Sequence, residues 1–115
     1  MPRYLMSVCY PVGSTMPSED ELATITRDVS EVHRALEADG AWVTGGGLHD
    51  PSTATVVTAT AGSVAATDGP FVETKEVIGG LSIIDVADLD TAKAWAARMS
   101  AATTCPIEVR AFVDA

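Results

Sequence analysis

Ser18-Glu19-Asp20-Glu21 opens the longest helical pattern in the chain, and its surroundings leave few folds available. A serine followed three residues later by glutamate is a capping box, in which the two side chains satisfy backbone groups that the first turn cannot bond internally. The three acidic residues also sit where the positive end of the helix dipole favours them. Leu22, Ile25, Val29, Val32 and Leu36 then recur at three- and four-residue steps as one apolar stripe, and Gly40 is a natural stop. A helix striped along one side needs an apolar layer to cover, and the flanking segments supply strands.

Tyr4 to Tyr10 reads as the first strand, followed by a loop through Pro11, Gly13 and Pro17. Trp42 to Leu48 reads as the second, although Gly45-Gly46-Gly47 weakens it and points to a bulge or to close approach by a ligand or another backbone. After a turn at Pro51 and Ser52, the Thr- and Val-rich run Thr53 to Ala61 is a third strand, and Gly62-Ser63 turns it into a short strand at Val64 to Thr67. Ile78 to Val86 gives a further strand, and Asp88 can cap a second helix whose apolar face is Leu89, Ala92, Trp95, Ala96 and Met99. Pro106 opens a last strand in which Ile107, Val109, Ala111 and Val113 alternate with Glu108, Arg110, Phe112 and Asp114, the pattern of a half-buried strand.

The order is β-α-β-β-α-β with a small inserted hairpin, which predicts a ferredoxin-like α+β fold with two helices on one face of an antiparallel sheet. At 115 residues, 47% of them apolar, the chain suffices for one domain (residues 1–115) and one modest core. The second sheet face would remain open. Apolar and Gly-rich strands do not easily leave a face wet, so a homodimer with two sheets packed face to face is expected.

Sixteen acidic residues against seven Lys and Arg give a formal charge of −9, which opposes phosphate-dominated binding of nucleic acid and disfavours an anionic membrane surface. The N-terminal Met1 to Tyr10 lacks the apolar core of a signal peptide, and no segment approaches the roughly 20 apolar residues of a membrane span, so a cytoplasmic protein is expected. Cys9 and Cys105 have no CxxC spacing and read as two reduced, partly buried thiols. If the first and last strands are antiparallel neighbours, these cysteines come near one another.

Asp68-Gly69-Pro70-Phe71 is a turn whose glycine and proline fix its shape, and it continues into Val72-Glu73-Thr74-Lys75-Glu76 and Ile78-Gly79-Gly80. This run resembles the signature of the DGPF-domain proteins, a branch of the YCII-related family. Val43-Thr44-Gly45-Gly46-Gly47-Leu48, Thr53-Ala54-Thr55, Asp85-Val86-Ala87-Asp88-Leu89-Asp90, Trp95-Ala96-Ala97-Arg98 and Glu108-Val109-Arg110 extend the resemblance in family order over nearly the whole chain. It implies a dimeric α/β barrel with a cleft between the sheet and its surroundings, in a family of mostly unassigned biochemistry. Many members are encoded beside alternative sigma factors, and one YCII-type relative is a dehydrochlorinase acting on a chlorinated aromatic. A His and Asp pair has been proposed for the family. Where members often carry a helix histidine this chain has Val29, and its own helix histidine, His33, stands one turn later.

Asp68 and His33 are therefore the candidate catalytic pair, an acid and base if the turn brings them together from either subunit; for Asp68 the structural alternative is an Asx-type hydrogen bond within its own turn. Lys75, beside Glu73 and Glu76, is either part of a solvated charge cluster or a holder for a carboxylate or phenolate. Trp42 and Phe71 could wall an apolar pocket, and Gly69 and Pro70 of the turn, Gly79 and Gly80, which spare space at a strand start, and His49 are further ligand-binding candidates. His49-Asp50-Pro51 equally reads as an exposed turn. No metal-ligand spacing, dinucleotide fingerprint, P-loop or nucleophile elbow occurs, and no cofactor is implied. The leading function is binding of a small aromatic or carboxylic metabolite near the signature turn, with cofactor-free lyase or isomerase chemistry left open. The alternative is a non-catalytic accessory or regulatory module linked to an alternative sigma factor.

Overall fold

In the computed structural model, which describes residues 2–69 and 75–114, the chain runs β1 (Arg3–Pro11), α1 (Glu19–Ala38), β2 (Trp42–Gly47), β3 (Thr55–Thr60), β4 (Ser63–Asp68), β5 (Glu76–Asp85), α2 (Leu89–Thr103) and β6 (Ile107–Ala111). Four strands form one antiparallel sheet in the order β2-β5-β1-β6, while β3 and β4 pair only with each other. With that hairpin set aside, the topology is the expected ferredoxin-like α+β weave.

Local chemistry sets the helix bounds. The Ser18 hydroxyl accepts the Glu21 N–H at 3.2 Å and donates to the Glu21 carboxylate at 3.0 Å. At the other end Gly40 takes φ 72°, its N–H bonding the Glu37 carbonyl at 3.0 Å while the Ala41 N–H reaches Leu36 at 2.9 Å. That pairing closes the orphan carbonyls of α1. Asp88 caps α2 by accepting the Thr91 N–H at 2.8 Å.

The core lies between the helices and one sheet face. Tyr4 and Met6 of β1, Ile84 of β5, Val32 and Leu36 of α1, and Ala92, Ala96, Met99 and Ala102 of α2 are buried there, with Trp42, Ile107 and Val109 packed against them. Three large apolar residues expected on buried faces lie outside it, among them Val113, which falls beyond the end of β6 and is 93% exposed. Leu22 is 43% exposed because the first turns of α1 face a cavity rather than the sheet, and Leu89, at the first position of α2, is 50% exposed. Alternation along the paired strands puts Leu5, Ser7, Cys9, Leu81 and Ile83 on the opposite sheet face, which no helix covers.

The glycines of β2 and β5 serve strand approach. A methyl on Gly45 would lie 2.5 Å from the Leu81 carbonyl oxygen, and one on Gly80 would lie 3.0 Å from that of Gly46. The β1–β5 register shifts between Val8 and Cys9, with Gly79 as the extra residue. In the hairpin the turn falls on Ala61 (φ 48°) and Gly62 (φ 84°) rather than on Gly62-Ser63, because two positive-φ residues match the twist of the flanking strands. No helix among the described residues is long and apolar enough to cross a membrane.

Candidate functional site

Three strand ends converge at one edge of the sheet. The Leu48 N–H, just past β2, donates to the Gly79 carbonyl at 2.8 Å, and the Val12 N–H, just past β1, donates to that of Lys75 at 3.0 Å. Both exits are thus tied to the start of β5 and the residue just before it. Between them Asp50 accepts the Ser52 N–H at 2.9 Å and caps a single 3-10 turn, Pro51–Thr53.

Two cavities flank this aspartate. One, about 400 Å³, has apolar walls of Leu48, Pro51, Ala54, Val77 and Ile78, and polar edges of His49, Asp50, Thr53 and Glu76. The other, about 430 Å³, lies among Tyr10, the loop to Pro17, Leu22 and the α2–β6 junction through Cys105 and Pro106, again with Asp50 in its wall. Tyr10 pairs with Val77 in register, so the strand pair β1–β5 separates the two spaces. Hydrogen bonding from the Ser52 side chain and from its N–H holds the Asp50 carboxyl below its ordinary value, so it stays ionised at neutral pH. Among the described residues, the charged side chains lining the cavities are Asp50, shared by both, and Glu76, in the first alone, with no Lys or Arg. Such walls suit a neutral or hydrogen-bond-donating ligand better than an anion.

The residues expected to form the site divide between places. His49 lies in the first cavity. His33 and Trp42 meet, their rings 4.5 Å apart between centroids and tilted by 43°, but they do so at the start of β2. That is about 20 Å along a six-residue strand from the Asp50 end. Burial pushes the His33 imidazole below its ordinary value, and Glu37, the carboxylate acting on it, opposes this only in part. Asp68 stands exposed at the end of β4, opposite Thr55, and no hydrogen bond or ion pair joins it to His33 within the chain. Lys75 is exposed and contributes its carbonyl to the strand junction.

Gly69 is half-buried; its N–H donates to Ala54 at 2.8 Å, and a methyl there would lie 3.1 Å from Val56. The space beside Gly79 is taken by the Tyr10 ring, and that beside Gly80 by the β2 backbone. Pro70 and Phe71 lie outside the described residues.

Sequence reasoning passed over Asp50 and Tyr10 as site residues. The His49-Asp50-Pro51 turn was visible, yet its place beside the ends of β1 and β5 is one that no local signal carries. Cys9 and Cys105 are free, and the Cys9 N–H bonds the Pro106 carbonyl at 3.0 Å. Burial raises the Cys9 thiol above its ordinary value, which leaves it protonated and a poor nucleophile at neutral pH.

A family model, the YCII-related domain, matches residues 4–114. An uncharacterized protein of Rhizobium meliloti (strain 1021) is 36% identical over 95 residues, covering 81% of this chain and 77% of that protein.

Proposed function

This chain belongs to the YCII-related family, and we propose that it acts as a homodimer that binds a small, uncharged aromatic metabolite in the cleft around Asp50. The observation that carries this reading is the pair of cavities sharing that aspartate, apolar in most of their walls with a few convergent polar groups, the usual make-up of small-molecule sites. Of the aromatic and carboxylic ligands that the sequence suggests, the acidic lining favours the aromatic. An ionised Asp50 accepts a hydrogen bond from a phenolic hydroxyl and repels a carboxylate. Proton transfer in this cleft, as in lyase or isomerase chemistry, would fall to His49. Pairing of Asp68 with His33 would require the second subunit.

The homodimer rests on the uncovered sheet face, whose central residues Leu5, Leu81 and Ile83 are apolar. Light scattering at low micromolar concentration tests it, a monomer being the adverse result. A thermal-shift panel of small phenols, lactones and hydroxy acids tests the ligand class. Phenols at about 100 times their Kd should stabilise the fold by about 2.7 kcal/mol. That gain should vanish in Asp50→Asn. Stabilisation by hydroxy acids alone, or a phenol shift unchanged in Asp50→Asn, would overturn the assignment.

A further inference from the structure

We infer that the β3–β4 hairpin is an arm whose apolar face packs on a second copy of this chain. The inference extends the homodimer put forward above and rests on it. Alternation across the paired register gives the hairpin two unlike faces: Val57, Ala59, Val64 and Ala66 make the length of one, with Thr55 and Asp68 at its root, while Thr58, Thr60, Ser63 and Thr67 put hydroxyls on the other beside Val56 and Ala65. A strand pair patterned in this way specifies a covered side. Yet Val57 is 62% and Val64 71% exposed in the single chain. A two-stranded ribbon standing alone in water is marginal at best, so its order calls for a surface to lie on. The radius of gyration agrees, at 16.0 Å against about 13 Å for a compact domain of this length.

Three observations identify the cover as another copy. The first is charge. Two chains of formal charge −9 repel wherever their acidic surfaces meet, but Pro51 to Thr67 contains no Asp, Glu, Lys or Arg. The centre of the open sheet face, at Leu5, Ser7, Leu81 and Ile83, is uncharged, and the charges beside it, Arg3 with Asp85 and Arg110 with Glu108, are paired within the chain.

The second is continuity. Ile78, which pairs with Cys9 on the open face and is 48% exposed, lines one cavity together with Leu48 and with Ala54 at the root of the arm. Apolar side chains therefore reach from the sheet to the root of the hairpin.

The third is area. Four strands about 4.8 Å apart and about 18 Å long present roughly 350 Å², well short of the roughly 800 Å² per partner of a stable interface. An arm about 20 Å long and 10 Å wide adds roughly 200 Å². Under two-fold symmetry each copy both gives and receives one, which brings the total to roughly 750 Å².

The test is a dilution series by analytical ultracentrifugation on the full chain, with far-UV circular dichroism confirming that the helices persist in every variant. In V57D/V64D the dimer Kd should rise by at least about 10-fold, and in V57A/V64A, which removes apolar area without adding charge, by about 3-fold. T58D/T60D, with the same added charge on the hydroxyl face, should keep the Kd of the unmodified protein. A dimer whose Kd is unmoved in V57D/V64D and V57A/V64A overturns the arm while leaving the sheet-face dimer intact. Equal weakening by T58D/T60D also overturns it, since charge alone would then be responsible. A monomeric unmodified protein sinks the dimer itself, and the arm with it.

Discussion

The ring of Tyr10 occupies the space into which a side chain on Gly79 would grow: a methyl there would lie 2.6 Å from Cε1 of the tyrosine. The contact sits at the β1–β5 irregularity, between the two cavities that share Asp50. It makes Gly79 a support for the wall of the cleft rather than open room for a ligand.

Gly79→Ala should therefore push the tyrosine ring aside and destabilise the fold by about 1–3 kcal/mol, as overpacking does. Urea unfolding measures the loss. Combining the change with Tyr10→Ala should cost less than the sum of the two single variants, because the clash disappears with the ring. Strict additivity would show that the ring moves away freely.

Gly45 and Gly46 are neighbours with opposite expectations. A methyl on Gly45 meets the Leu81 carbonyl at 2.5 Å and the Ser82 Cα at 2.8 Å, both backbone atoms of the adjoining strand, whereas one on Gly46 meets nothing within 4 Å. Backbone cannot rotate out of the way as a side chain can. Gly45→Ala should cost about 3 kcal/mol or more, and Gly46→Ala about 0.5 kcal/mol or less in either direction. Equilibrium unfolding of the pair gives the comparison directly.

Mild acid should weaken the fold through His33. Its folded value lies below the unfolded one of about 6.5, so the native state binds fewer protons than the unfolded chain. The contribution of His33 is then full above pH of about 6.5 and is lost as pH drops through the lower folded value. His33→Gln should flatten that part of the pH–stability curve, followed by thermal melts between pH 7.5 and about 4.5. An unchanged slope in the variant would place the acid sensitivity elsewhere.

Thr104 ends α2 in the left-handed region at φ 62°, its N–H bonding the Ser100 carbonyl at 2.8 Å. A β-branched residue is strained there and glycine is not. Thr104→Gly should raise stability by about 0.5–1 kcal/mol after allowing for the greater freedom of the unfolded chain. A lowered melting midpoint would mean that the threonine side chain stabilises the junction by more than the strain costs.

The serine cap at Ser18 and the Gly40 stop each report a local preference, and the structure follows them, so element order and fold class were legible; the alternation expected through Asp114 holds only as far as Val109. Periodicity marks a face without saying what that face meets, which is why Leu22 and Leu89 read as core and are exposed. The hairpin turn was misplaced by one residue because Ala61 gives no sign of adopting positive φ; its conformation is imposed by the strands on either side. The cleft was legible only in part. His49 was in view, but Tyr10 and Asp50 acquire their places from strands that meet only in three dimensions.

The strand order also dictates a timetable for assembly. In the four-stranded sheet every pairing joins segments distant in sequence, and β1 finds no strand partner until Glu76–Asp85 has been made. At about 5–20 residues per second that interval is roughly 4–15 s during synthesis. The β3–β4 hairpin, whose strands are joined by Ala61 and Gly62, can close in about 1–10 μs once it is clear of the ribosome. Among the strand pairings the hairpin's is thus the first that can be tried, although alone it stays marginal, and the central strand must wait for the chain that follows it.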